Sequence, residues 1–119
     1  GRRYQTVREG EYWGPSDEKQ FESLQAGHVV YTLLDAHQKN PLFRSPVPDT
    51  IQHILDVGTG TGEWCRQVAD MYPSGEPKIH LLRDIGRTVS NSSAAFVLGV
   101  DLTPPPDPWV PPNCKFEGV

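Results

Sequence analysis

The stretch Ile51-Gln52-His53-Ile54-Leu55-Asp56-Val57-Gly58-Thr59-Gly60-Thr61-Gly62-Glu63-Trp64 decides how this chain reads. Ile54, Leu55 and Val57 form a short apolar run around Asp56, directly before three glycines at every second position. That is the pattern of a buried strand feeding a tight turn. Beyond the turn, Trp64, Val68, Met71 and Tyr72 fall at i, i+4, i+7 and i+8. Their spacing predicts an apolar stripe on a helix of about three turns, which Pro73 closes.

Upstream, Pro41 to Thr50 is a proline-punctuated connection. Before it, Ala26, Val30, Leu33, Leu34 and His37 share one helical face, with Val29 and Tyr31 widening the stripe. This helix should start at Pro15-Ser16-Asp17, where a side chain can accept from free backbone N–H groups and Gln20 stands in capping-box spacing. It should end at Asn40-Pro41, and a cover packed on a sheet is its expected role. Residues 1–15 show neither period and read as an arm or loop. Downstream, Phe96 to Leu102 is a second β-rich run ending near Asp101, and Cys114 to Phe116 begins a third. Strand, helix and strand in this order imply an α/β fold with parallel strands and a right-handed crossover. The expected organisation is an N-terminal arm and cover helix over residues 1–50, followed by an α/β core over 51–119 with an insertion near 75–95.

Composition limits the partners. The 119 residues leave room for one small domain, and Leu, Ile, Val and Phe make 28 of them, enough for a globular core. A net charge of −4 gives no electrostatic footprint for nucleic acid. No apolar run approaches the roughly 20 residues of a membrane span. Cys65 and Cys114 have no metal-like spacing and read as free thiols of an intracellular protein.

The chemistry gathers at Asp56-Val57-Gly58-Thr59-Gly60-Thr61-Gly62. Glycine lets a ligand approach the main chain closely, and the helix that follows aims its free N–H groups and positive dipole end at the turn. An anionic group is favoured there. Dinucleotide-binding turns place their third glycine where this chain has Glu63, and a carboxylate beside a pyrophosphate would be repelled. The lysine of a phosphate-binding loop is missing too. For S-adenosylmethionine the signs match: the methionine carboxylate meets the helix end, and Asp56 favours the ammonium. An acid closing the second strand would accept from the ribose hydroxyls. Asp101 has that position, 39 residues after Gly62, and Asp84, 22 after Gly62, competes for the role beside a second candidate strand at Lys78-Ile79-His80-Leu81-Leu82.

On these residues the chain resembles the fungal LaeA-like methyltransferases, a class I S-adenosylmethionine-dependent family named after a regulator of secondary metabolism. Three stretches carry the likeness: Gly10-Glu11-Tyr12 with Pro15-Ser16-Asp17-Glu18-Lys19; Ile54 to Trp64; and Val97-Leu98-Gly99-Val100-Asp101-Leu102 with Trp109 to Glu117. The resemblance implies a Rossmann-like class I methyltransferase fold, truncated here to its N-terminal portion. It also implies that Asp56, Gly58, Gly60 and Gly62 hold the methionine end of the cofactor and Asp101 the ribose, with Thr59 among the cofactor-binding residues. Pro77 to Ala95 has no counterpart in the family's pattern.

The expected function is transfer of a methyl group from S-adenosylmethionine to an acceptor that these residues do not identify. Two rivals stand beside it: a non-catalytic regulatory module that binds protein partners, which the resemblance to a nuclear regulator allows, and a truncated product without activity. Nucleus or cytoplasm is the expected compartment. No metal is called for, and no general base is assigned, because His28, His37, His53 and His80 have no partner at readable spacing. Trp13, Trp64 and Trp109 are expected to pack rather than to stack on an adenine.

Overall fold

The structure, a computed structural model, describes residues 1–7, 9–48, 50–73, 94–105 and 109–119. The candidate strand at 78–82, His80, Asp84 and nearly all of the expected insertion lie outside the described residues. Among the described residues five elements follow in order: α1 (Glu18–Leu34), β1 (His53–Val57), α2 (Glu63–Met71), β2 (Phe96–Asp101) and β3 (Cys114–Gly118). The strands form one parallel sheet in the order β1-β2-β3. This is the α/β architecture that the sequence pattern implies, and it agrees with a Rossmann-like fold.

Register places side chains in rows. Ile54 pairs with Val97 and Val97 with Cys114; Asp56 pairs with Gly99 and Gly99 with Phe116. Paired residues share a face of the sheet, so both rows lie beneath α2. Cys65, Val68 and Ala69 of α2 complete a small core with Val97 and Cys114, and Ile54, Trp64, Tyr72, Val110 and Phe116 pack around it. Both cysteines are free and buried. Burial pushes the Cys65 thiol up to about 12 and raises that of Cys114.

Three sequence expectations need correction. The buried side of α2 is Cys65, Arg66, Val68 and Ala69, rotated from the stripe through Trp64 and Met71. Met71 is 41% exposed, because the sheet receives the small residues of the helix and the two aromatics flank them. β1 is buried on one face only: Ile54 and Asp56 point toward α2, whereas Leu55 and Val57 are 61% and 76% exposed. Among the described residues α2 covers one side of the sheet, and β1 is an edge.

The third correction concerns α1. Asp17 caps it as expected, its carboxylate accepting from the Gln20 N–H at 3.0 Å, but the helix stops at Leu34, six residues before Asn40. The Asp35 N–H turns back to the Tyr31 carbonyl at 3.0 Å and its carboxylate pairs with Arg44. Nor is α1 a cover on the sheet: it leans on α2, and none of its residues is buried. Phe21, His28, Thr32 and Asp35 form the half-buried side, while Val29, Val30, Leu33 and Leu34 are exposed. Polar ties at both ends fix this orientation. Arg2 donates to Asp17 at 2.9 Å and Arg3 to the Ser16 carbonyl at 2.9 Å at the start, and the Asp35–Arg44 pair holds the end.

Candidate functional site

The turn after β1 is built on three glycines with positive φ: 79° at Gly58, 56° at Gly60 and 73° at Gly62. L-residues with side chains rarely adopt such angles, so the alternating glycines are required by the backbone path. The Gly58 and Thr59 N–H groups both donate to the Val100 carbonyl, at 2.8 and 3.0 Å, which staples the turn to β2. The Gly62 N–H donates to the Thr59 carbonyl at 2.9 Å. Gly62 then caps α2 without any side-chain bond. The N-cap residue therefore supplies no side-chain oxygen of the kind usually offered to the first N–H groups of a helix.

Asp101 reaches the same place from the end of β2. One carboxylate oxygen accepts from the Gly60 N–H at 2.9 Å and the other from the Thr103 N–H at 3.0 Å. The two stretches that sequence reasoning tied to one ligand thus meet across 41 residues of chain. Each oxygen of an ionised carboxylate has two lone-pair directions, so both keep capacity for a further donor. Asp56 lies below the turn in the row with Gly99 and Phe116, where the Cys65 thiol donates to it at 3.3 Å. The Thr59 hydroxyl points inward to the same thiol at 3.2 Å and is buried. Asp56, Gly58, Thr59, Gly60, Gly62 and Asp101 are all at this one end of the sheet.

The glycines differ in what surrounds them. A Cβ on Gly58 would meet nothing within 4 Å, leaving room for a ligand against the backbone. At Gly60 the nearest atom is Leu24 Cδ1 of α1, at 3.5 Å. A Cβ on Gly62 would lie 2.5 Å from the Phe116 ring, and one on Gly99 2.7 Å from that ring and 2.8 Å from the Thr59 hydroxyl. The turn is open at Gly58 and backed by the Phe116 ring at Gly62.

Three structural residues of the site escaped sequence reasoning. Arg66, 7% exposed, donates to the Thr61 carbonyl at 2.9 Å and to the Trp109 carbonyl at 3.3 Å. Phe116 lies 5.2 Å from the Arg66 guanidinium, ring centroid to Cζ. The buried amide of Asn113 donates to the carbonyls of Ala69, Tyr72 and Ala95 at 3.0, 2.8 and 2.9 Å, joining the end of α2 to the approach to β2. An arginine in the first turn of a helix, against the dipole, was the signal for the first. Phe116 and Asn113 depend on register, which composition does not reveal.

The aromatic expectations divide. Trp64 packs at the core and its indole N–H donates to the Leu42 carbonyl at 2.7 Å. Trp13 and Trp109 are 85% and 63% exposed. Among the described residues no group of three His, Cys, Asp or Glu is placed to hold a metal. No described helix is long and apolar enough to cross a membrane.

No family model matches the chain, and no solved structure does. Curated proteins do. The chain is 35% identical over 116 residues to the protein-methionine methyltransferase laeA of Emericella nidulans, covering 98% of this chain and 25% of that protein. It is 31% identical over 116 residues to the methyltransferase pytC of Aspergillus terreus, covering 98% of this chain and 29% of the relative. To the secondary metabolism regulator laeA of Aspergillus niger it is 34% identical over the same length. Along almost its whole length, then, this chain is a homologue of the fungal LaeA and pytC methyltransferases, and it spans about a quarter of the length of the relatives it matches.

Proposed function

We propose that this chain forms the S-adenosylmethionine-binding part of a methyltransferase. The observation that carries the reading is the meeting of the uncapped glycine turn with Asp101 at the carboxyl ends of β1 and β2, the place where open α/β sheets bind ligands. When bound, the cofactor supplies an electrophilic methyl group on a sulfonium. The work of the residues seen here is to hold and orient it. The N–H groups at the start of α2 favour the carboxylate of its methionine end, Asp56 favours the ammonium, and the remaining acceptor capacity of Asp101 suits the two ribose hydroxyls. Gly58 leaves space for the approach. Transfer would then rest on positioning an acceptor against the methyl group that these residues hold in place.

The homologues' names support the reaction class, and those called secondary metabolism regulators support a role in controlling such metabolism. Calorimetric titration of the protein with S-adenosylmethionine tests the reading. Saturable one-to-one binding that Asp101→Ala weakens at least roughly tenfold is expected, since a charged hydrogen-bonding group is removed. Absence of heat across the millimolar range would remove the cofactor assignment and favour a regulatory module that keeps only the fold.

A further inference from the structure

We propose that Arg66 is a positioning residue: it braces the glycine turn from below and so sets how tightly the site holds the amino-acid tail of the cofactor. The inference deepens the cofactor reading above and rests on it. Arg66 is out of place by ordinary rules. A cation in the first turn of a helix opposes the dipole, and a buried charge is costly unless it is well partnered. An aliphatic side chain would fill the same space in a helix packed on a sheet. What the guanidinium adds is a planar fork of donors, two of whose bonds go to the turn and to the segment leading into β3.

Nη1 donates to the Thr61 carbonyl at 2.9 Å and Nε to the Trp109 carbonyl at 3.3 Å, while Glu63 lies 3.7 Å from Nη1 and tempers the charge. The guanidinium stands over the Phe116 ring, 5.2 Å from its centroid. That ring fills the space a Cβ on Gly62 or Gly99 would need. The turn therefore rests on two courses, ring and guanidinium. The peptide joining Thr61 to Gly62 is held at both ends, its carbonyl by Arg66 and its N–H by the Thr59 carbonyl at 2.9 Å. The N–H groups that follow it open α2, where the cofactor's carboxylate is expected, so their aim depends on the side chain that holds the Thr61 carbonyl from below.

A brace of this kind affects the tail and spares the nucleoside, which separates it from a merely structural role. The test compares wild type, Arg66→Lys and Arg66→Met by calorimetry with S-adenosylhomocysteine and with methylthioadenosine, which lacks the amino-acid tail. Arg66→Met should weaken S-adenosylhomocysteine about tenfold, the size of one charge-assisted hydrogen bond, and methylthioadenosine less than about twofold. Arg66→Lys, which reaches one carbonyl but cannot fork, should fall between. Amide exchange without ligand is read in parallel, and Gly60 to Gly62 should exchange faster in Arg66→Lys while Val97 is unchanged. Equal weakening of both ligands, or unchanged exchange in the turn, overturns the proposal. Should Arg66→Met not fold, the lysine variant carries both readouts. If wild type binds neither ligand, the cofactor reading falls, and exchange alone decides whether Arg66 braces the turn.

Discussion

The two helices among the described residues reverse the usual relation between sequence signal and packing. Helix α1 has 17 residues and a side-chain cap at Asp17, yet buries none of its residues. Helix α2 has nine residues and no side-chain cap, yet buries four. Capping and spacing decide whether a segment becomes a helix; the partner surface decides which side of it matters. For α2 that surface is the sheet, and small residues at 65 and 69 let it come close. For α1 the main described helix or strand partner is α2, and its apolar side stays outside. The first helix is a local event, the second a tertiary one.

Paired substitutions break or sharpen this contrast. Val68, fully buried on α2, should lose about 2 to 3 kcal/mol on replacement by Ala, between the ranges for removing one methyl and for Leu→Ala. Val30, 53% exposed on α1, should change by less than about 0.5 kcal/mol on the same replacement. Urea unfolding measures both. Equal losses would mean that the outer side of α1 is covered in solution, and the contrast would disappear.

A second pair predicts opposite signs for one chemical change. Gly99→Ala would push a Cβ to 2.7 Å from the Phe116 ring and 2.8 Å from the Thr59 hydroxyl, so it should destabilise by about 1 to 3 kcal/mol, the usual cost of overpacking. Gly27 lies inside α1 with nothing within 4 Å of such a Cβ, and Gly27→Ala should stabilise by about 0.5 to 1 kcal/mol through helix propensity. Thermal melts of the two variants, moving in opposite directions from wild type, check it. A gain at position 99 would show that Phe116 is not seated against β2 as the structure has it.

The same division governs what the sequence disclosed. Strand β1, the glycine turn, α2 and β2 were legible because each has a local mechanism: an apolar run, positions requiring positive φ, a 3.6-residue period. Asp101 was legible as the acid closing a strand, though its bond to Gly60 was not. The faces were harder. Leu55 and Val57 read as buried because a parallel strand is normally covered on both sides, whereas among the described residues β1 is at an edge with one side open. The stripe through Trp64 and Met71 misled because periodicity weights size, whereas close packing on a sheet selected Cys65 and Ala69. Asn113, Arg66 and Phe116 act between residues distant in sequence, and no window along the chain contains both partners.

The smallest expected effect lies at the start of α1, where local chemistry should be visible on its own. Asp17 accepts from Gln20, from the Arg3 backbone and from Arg2, and the bond from Arg2 is the main reason its carboxyl sits well below the usual carboxylate range. A carboxyl whose folded pKa is depressed contributes stability above its unfolded value, about 3.9 for Asp, and loses it as pH falls toward the folded value. The Gln20 amide resonance should therefore hold steady down to about pH 4 and move only below it, with added salt bringing the transition closer to the unfolded value because the pair is exposed. In Asp17→Asn the cap remains but cannot ionise, so this titration should vanish while the first turn stays helical. A Gln20 amide that titrates at the ordinary aspartate value would mean that the Arg2–Asp17 tie does not form in solution, and that the orientation of α1 is set by something other than its ends.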